Sequence, residues 1–312
     1  MKDLANFLSI TALVILFGYI TYNEVSHGSN RAGTFSDEGV APVEFAIEDA
    51  PLSAVSFEVP KEAAFAGEPV PMKIADVKER LDKELQSNIY FHSNTIFLMK
   101  RASRWLPQIQ EILRANDIPD DFKYLPLIES NLLNVTSPKE AVGYWQILKT
   151  SGKEFGLEIS DEVDERYDPL KATQAACKYL KQAYSKFGSW TLVAASYNRG
   201  MGGMQRAIDD QKVDNYYDLF LNDETSRYVF RIIAIKEIIN NPVKYGFRIN
   251  PKHLYAEEPL KFVEVNESIK DLVAFAKEHG TNYKLLKRHN PWLREDRLTV
   301  KKGRKYKIAI PG

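Results

Sequence analysis

Hydrophobic and polar positions divide the chain into stretches of different period. Residues 4–23 carry no charge, with Leu13-Val14-Ile15-Leu16-Phe17-Gly18-Tyr19-Ile20 at their centre. As a helix, a run of that length spans about 30 Å, the hydrocarbon thickness of a bilayer. Met1 and Lys2 precede it, and no small-x-small cleavage site follows. Residues 1–25 therefore read as a signal anchor with its N-terminus in the cytoplasm. A cleaved signal peptide is the alternative, and either reading sends the rest of the chain across a membrane. Residues 26–72 hold no lasting period. They contain Pro42, Pro51, Pro60, Pro69 and Pro71, and read as an unfolded tether.

From residue 73 the period becomes helical. Val77, Leu81 and Leu85 step by four; Ile96, Met99, Leu106, Ile109 and Leu113 continue the pattern; Ala172, Ala176, Tyr179, Ala183 and Phe187 repeat it up to Gly188. Trp190–Tyr197 and the Tyr228, Ile232, Ile235, Ile239 series predict two more helices. No strand alternation of any length interrupts residues 73–250, so an all-α domain is expected there. The tail differs. Phe262–Val265 reads as a strand. Ile269, Leu272, Val273 and Ala276 predict a helix, and Tyr283, Leu285 and Leu286 another. Tyr306, Ile308 and Ile310 then alternate with polar or small neighbours as a closing strand. This gives a small βααβ module over residues 258–312.

Charge sharpens these boundaries. The totals cancel, with 42 Lys and Arg against 42 Asp and Glu, which disfavours a dedicated nucleic-acid binder. The cancellation joins unlike parts: residues 26–72 hold eight acidic residues against Arg31 and Lys61, and residues 252–312 hold fourteen Lys and Arg against eight Asp and Glu. The lone Cys177 excludes an intrachain disulfide and a multi-cysteine zinc site, and reads as a small core residue.

Three clusters carry candidate chemistry. Glu129 follows the apolar run Tyr124-Leu125-Pro126-Leu127-Ile128, and a carboxyl held against apolar walls keeps its proton to higher pH, as a general acid requires. Gly143-Tyr144-Trp145-Gln146 offers close backbone approach and aromatic surface. In Ala194-Ala195-Ser196-Tyr197-Asn198-Arg199-Gly200, the Tyr197 hydroxyl could bond a carboxylate or a sugar. Taken singly, a Glu at a helix end is more often a cap, and the other two clusters more often a packed corner and a helix C-terminus.

Order and spacing change that weighting. Glu129-Ser130, Gly143-Tyr144-Trp145-Gln146, Glu165-Arg166-Tyr167-Asp168-Pro169 with Ala172-Thr173, and Tyr197-Asn198-Arg199-Gly200 resemble the soluble-lytic-transglycosylase domain of the family 1 lytic murein transglycosylases. The resemblance covers about residues 75–245. It implies a mainly α, goose-lysozyme-like domain, placed here at residues 73–250. It also implies cleavage of the β-1,4 bond between N-acetylmuramic acid and N-acetylglucosamine in peptidoglycan, leaving a 1,6-anhydromuramyl end. Glu129 then matches the acid/base, and Ser137 a serine that orients the acetamido group or the glutamate. Gln146, Tyr197, Asn198 and Tyr228 match residues of the substrate groove. The segment from Glu129 to Gly143 is one residue short of the usual pattern, Glu140 stands where glycine is common, and Arg199 replaces an alanine.

A single carboxylate suits a substrate whose own 2-acetamido group assists, an exception to the two-carboxylate rule. Glu140 and Glu154 lie nearby without a matching context. No metal and no cofactor are expected. The tail resembles a LysM module, a binder of glycans containing N-acetylglucosamine; the alternative is a module that only packs against the catalytic domain. Trp292 is a candidate for stacking on sugar or for core packing. The expected partners are peptidoglycan strands and, through the N-terminal helix, the membrane. Nothing points to nucleic acid, and protein partners stay open. The expected location is the periplasmic side of the cell envelope, anchored at the inner membrane. A hydrolytic muramidase or a non-catalytic wall-binding protein are the alternative functions.

Overall fold

The computed structural model describes residues 55–312. The expected anchor at 1–25, and the tether as far as residue 54, lie outside them. Among the described residues no helix is long and apolar enough to cross a membrane.

The tether expected through residue 72 is not met over residues 55–72, which pack onto the helical body. Strands β1 (Ala64–Phe65) and β2 (Glu68–Pro69) pair antiparallel as a minimal hairpin. Phe65 is fully buried, edge-on to Phe122 at 5.1 Å between ring centres. Glu68 has a more specific task at the start of a helix, Trp190–Arg199. Its carboxylate accepts the amides of Trp190 (2.5 Å) and Thr191 (2.9 Å) and the hydroxyls of Ser189 (3.0 Å) and Thr191 (2.8 Å). A helix start leaves amides unpaired and carries partial positive charge, so a carboxylate there is doubly favoured. The lack of a period and the scattered prolines hid this, because two buried apolar anchors, Phe65 and Val70, and one capping carboxylate share no repeat. We expect Glu68→Ala to destabilise the fold by about 2 kcal/mol. Urea unfolding monitored by circular dichroism reads this directly, and an unchanged midpoint would show the cap to be dispensable.

The body is helical as expected. Helices α1 (Ala75–Tyr90) and α2 (His92–Ala115) lead to a short turn and α3 (Leu125–Ser130). α4 (Lys149–Glu154), α5 (Pro169–Phe187), α6 (Trp190–Arg199), α7 (Met201–Gln211) and α8 (Asp223–Asn240) follow. α8 is apolar around most of its circumference; Val229, Phe230, Ile232, Ile233, Ala234, Ile235 and Ile238 are all buried. A helix of that kind belongs in the centre of a domain, and α8 packs against α1, α3 and α6. Cys177 is fully buried on α5, as expected.

The tail forms β3 (Leu260–Val265), α9 (Leu272–Glu278), α10 (Tyr283–His289) and β4 (Tyr306–Pro311). The strands pair antiparallel from Leu260 opposite Pro311 to Val265 opposite Tyr306. The βααβ order is thus present. Ile269 stays outside the helix predicted for it and bridges Leu298 instead, because Asp271 caps the helix after it by accepting the amides of Val273 and Ala274. Trp292 is buried in this module's core, stacked on Tyr306 at 5.7 Å, which is the core-packing one of its two expected roles.

Candidate active site

Glu129 sits on α3, a helix of six residues held by its apolar flank: Leu125 and Leu127 are buried. Asn131 (φ 53°) and Leu132 (φ 56°) then turn the chain sharply out of the helix. Ser130, next to Glu129, donates its hydroxyl to the Tyr144 carbonyl at 2.9 Å, tying the first motif to the second.

Further bonds lace the remaining motifs together. Trp145, fully buried, donates its indole N–H to Thr173 at 2.8 Å. Tyr197 donates to the Trp145 carbonyl at 2.7 Å. Its hydroxyl proton is therefore committed to backbone, and no carboxylate receives it. The tyrosine that meets the carboxylate is Tyr228, whose hydroxyl donates to Glu129 Oε1. Burial pushes both tyrosine hydroxyls well above their usual range, and the nearby Glu129 charge adds to this, so both remain donors.

A cavity of about 420 Å³ opens beside Glu129. Ser137, Gln146, Tyr197 and Asn198 line it with Glu129, so five of the six expected site residues meet at one space. The sixth, Tyr228, touches it through Glu129. Gln146 has a left-handed backbone (φ 47°) and spends both amide protons on the carbonyls of Gly143 (2.8 Å) and Val135 (3.1 Å). Its side-chain oxygen is left as an acceptor. Ser137 Oγ accepts the Ala141 amide at 3.0 Å, so its own proton is the one it can offer a ligand. Asn198 is more occupied: it donates to Glu224 at 2.9 Å and accepts from Thr225 at 2.8 Å, joining α6 to the start of α8.

The Glu129 carboxyl is held above the usual carboxylate range. Desolvation is the main cause and the Glu224 charge adds to it; the Tyr228 hydroxyl and the Arg231 charge act the other way. A carboxyl shifted in this direction keeps its proton to higher pH than a free one, the direction a general acid needs. We expect Tyr228→Phe, which deletes the bond that favours the ionised form, to move the alkaline limb of the pH–rate profile upward and to lower turnover about tenfold. A limb that stays in place or moves down would exclude this role for Tyr228.

Three further residues shape the site in roles that sequence reasoning did not assign. Glu224 lines the cavity and stands in the segment that holds Tyr228. Arg231, one helical turn beyond Tyr228, donates to the Ile128 carbonyl at 2.7 Å, and that i, i+3 spacing was the available signal. Arg166 is buried with Asp164, which it meets at 2.7 Å. Its guanidinium donates to the carbonyls of Glu140 (3.1 Å) and Ile147 (3.2 Å), at either end of the loop that carries Gln146. Glu140, where glycine was expected, adopts φ 61°. Among the described residues no group of three or more His, Cys, Asp or Glu is arranged to hold a metal ion.

Comparison with known proteins meets this geometry. Residues 107–220 match the family model of the transglycosylase SLT domain, and residues 261–312 match that of the soluble lytic transglycosylase C-terminal LysM-like domain. Membrane-bound lytic murein transglycosylase D of Escherichia coli is 30% identical over 195 residues, which cover 60% of this chain and 42% of that protein. A putative tributyltin chloride resistance protein of an Alteromonas species is 32% identical over 126 residues, covering 40% of this chain and 61% of that protein. The chain thus matches less than half the length of the first relative. Among solved structures, an inactive mutant of the lytic transglycosylase Slt from Pseudomonas aeruginosa is 17% identical at a TM-score of 0.35, covering 48% of this chain and 26% of that one.

Proposed function

We propose that this chain, which carries an SLT domain joined to a LysM-like C-terminal domain, is a lytic transglycosylase that cleaves the MurNAc-β-1,4-GlcNAc bond of peptidoglycan and forms a 1,6-anhydromuramyl end. The observation that carries the reading is the Glu129 carboxyl, placed at the wall of a cavity of about 420 Å³ and shifted by burial above the usual carboxylate range.

In this mechanism Glu129 gives its proton to the glycosidic oxygen as the bond to the anomeric carbon breaks. The 2-acetamido group of the muramoyl residue stabilises the cation that develops. The Glu129 carboxylate then takes the proton of the muramoyl 6-hydroxyl, whose oxygen closes on the anomeric carbon. The proton returns to its starting place, and no water enters the product. Tyr228 and Arg231 favour the ionised form of Glu129 between the two steps, while burial restores the protonated one. Gln146 and Ser137 supply one acceptor and one donor for the sugar, and Tyr197 and Asn198 hold the walls.

A hydrolytic muramidase is the second reading, favoured by Glu224 on the same cavity. Glu224 accepts the Asn198 amide, which ties it to a structural bond and leaves Glu129 as the acid/base in both readings. Mass spectrometry of products from purified sacculi separates them: the anhydro product is lighter by one water than the reducing-end product, and reducing ends alone would overturn the transglycosylase. Location follows from substrate. We place the protein at the periplasmic face of the cell envelope, with residues 1–25 anchoring it in the inner membrane, a reading supported by the uncharged run of residues 4–23 and by the membrane-bound description of its E. coli relative. Peptidoglycan is its partner.

A further inference from the structure

The C-terminal module is built around a residue it does not own. Val163, from the segment between α4 and α5, is buried within the module's core beside Leu293, Trp292 and Tyr306, and it pairs with Leu293 as a short antiparallel bridge. The Asp164 amide donates to the Trp292 carbonyl at 2.9 Å, and the Arg294 amide to the Glu162 carbonyl at 2.8 Å. The Glu162 carboxylate accepts Arg297 Nε (2.9 Å) and the Thr299 amide (2.7 Å), and it is held below the usual carboxylate range by those bonds. Glu158 accepts the Tyr306 hydroxyl at 3.0 Å and pairs with Arg304 at 2.9 Å.

The seam runs directly into the active-site loop. Asp164, fixed by the Trp292 carbonyl, holds Arg166, and Arg166 grips both ends of the turn from Glu140 to Ile147. A second line runs through Arg294, whose guanidinium carbon stands 3.8 Å from the centre of the Tyr167 ring; Tyr167 bonds Thr136 at 3.2 Å, and Thr136 bridges Val142. Gly143 and Gln146 hang between the two lines. Trp292, the module's tryptophan, is buried with the Lys171 ammonium 5.5 Å above its ring, so this face is occupied by the catalytic domain.

We infer that the LysM-like module is a brace that positions the loop bearing Ser137 and Gln146, and that Glu158, Glu162 and Arg294 are its positioning residues. The inference rests on the lytic transglycosylase reading for its kinetic consequence, but not for its structural one. Two charge pairs, a shared core residue and a buried ion pair form one contiguous path, and coupling along such a path is what a double-mutant cycle measures.

The test uses the full chain with Glu158→Ala and Glu162→Ala combined, well below its melting temperature. Hydrogen exchange read by mass spectrometry is expected to show lost protection across residues 137–147, on the far side of α4 from the substitutions. Unchanged protection there overturns the brace whether or not the wild-type chain cleaves glycan. On a soluble tetrasaccharide of alternating N-acetylglucosamine and N-acetylmuramic acid, kcat/KM is expected to fall about tenfold. Adding Arg166→Lys, which keeps the charge and loses the fork, should then cost little more than either change alone. Wild-type turnover of the tetrasaccharide with weakened retention on sacculi would mean that the module acts as an independent glycan binder. Multiplying effects would overturn the path through Arg166. A wild-type chain that releases nothing from sacculi would refute the function and leave the exchange result to decide the brace.

Discussion

Glu129→Gln is expected to lower the release of soluble fragments from sacculi by at least about a thousandfold, the upper range of what one positioned acid/base contributes, with binding intact. The amide keeps the carboxyl's shape, and its oxygen still accepts the Tyr228 hydroxyl that meets Glu129 Oε1. What it loses is the proton to give and the charge that would take one back. Both steps of the mechanism run through that one group, so no partial pathway survives its loss. The same substitution should stabilise the protein. Burial lifts the Glu129 pKa in the folded chain above its unfolded value. Between those two values the folded state holds a proton that the unfolded state has released, so stability declines as pH rises through that window and stays lower above it. Glutamine has no such window. The variant's melting temperature should therefore approach that of the wild type near pH 4, the ordinary range of a free Glu, and exceed it at neutral pH. An inactive variant with a lower melting temperature at neutral pH would point to damage at the site, and retained activity would remove Glu129 from the mechanism.

The elements were legible wherever burial repeats with a helical step. α8 and α5 were readable because their apolar positions recur every three or four residues, and the βααβ tail because Tyr306, Ile308 and Ile310 alternate. Residues 55–72 escaped because their attachment rests on Phe65, Val70 and one carboxylate at a helix start, which share no period. Glu129, Gln146 and Tyr228 were readable from motif order, but their roles were not all so. Tyr197 and Tyr228 look alike along the chain. One gives its proton to a backbone carbonyl and the other to the carboxylate, and only the packing of α8 against α3, and of α6 against the segment carrying Trp145, decides which. Trp292 was open between sugar and core until its partner, Lys171, came from a helix more than a hundred residues away. Polar contacts between distant segments leave no periodic trace, and these contacts shape the active-site loop.

Gly143→Ala tests that loop most severely. The backbone there stands at φ +80°, where an alanine is disfavoured by about 1–2 kcal/mol. Steric conflict adds to this. A methyl at Gly143 would run into the Arg166 carbonyl oxygen and come within 3.0 Å of its carbonyl carbon, and both are backbone atoms with no flexible tip to swing aside. Arg166 cannot retreat without breaking its buried ion pair with Asp164 and its hold on Glu140 and Ile147. The loop cannot retreat without losing the bonds from Gly143 to Val135 and from Gln146 to Gly143. Together these predict a loss of about 3–5 kcal/mol, the range of overpacked or strained core sites. At about 2–4 °C per kcal/mol for a chain of this size, the melting temperature should drop by roughly 6–20 °C. Activity should be lost even where the variant is folded, because Gln146 turns on the same backbone. Gly202→Ala provides the control. Gly202 lies in α7 with nothing within 4 Å of an added methyl, and the same chemical change there should stabilise by up to about 1 kcal/mol through helix propensity. Calorimetry of the two variants side by side therefore predicts opposite signs for one added carbon. A Gly143→Ala protein melting within two degrees of wild type would show that the Gly143–Arg166 contact does not constrain the loop.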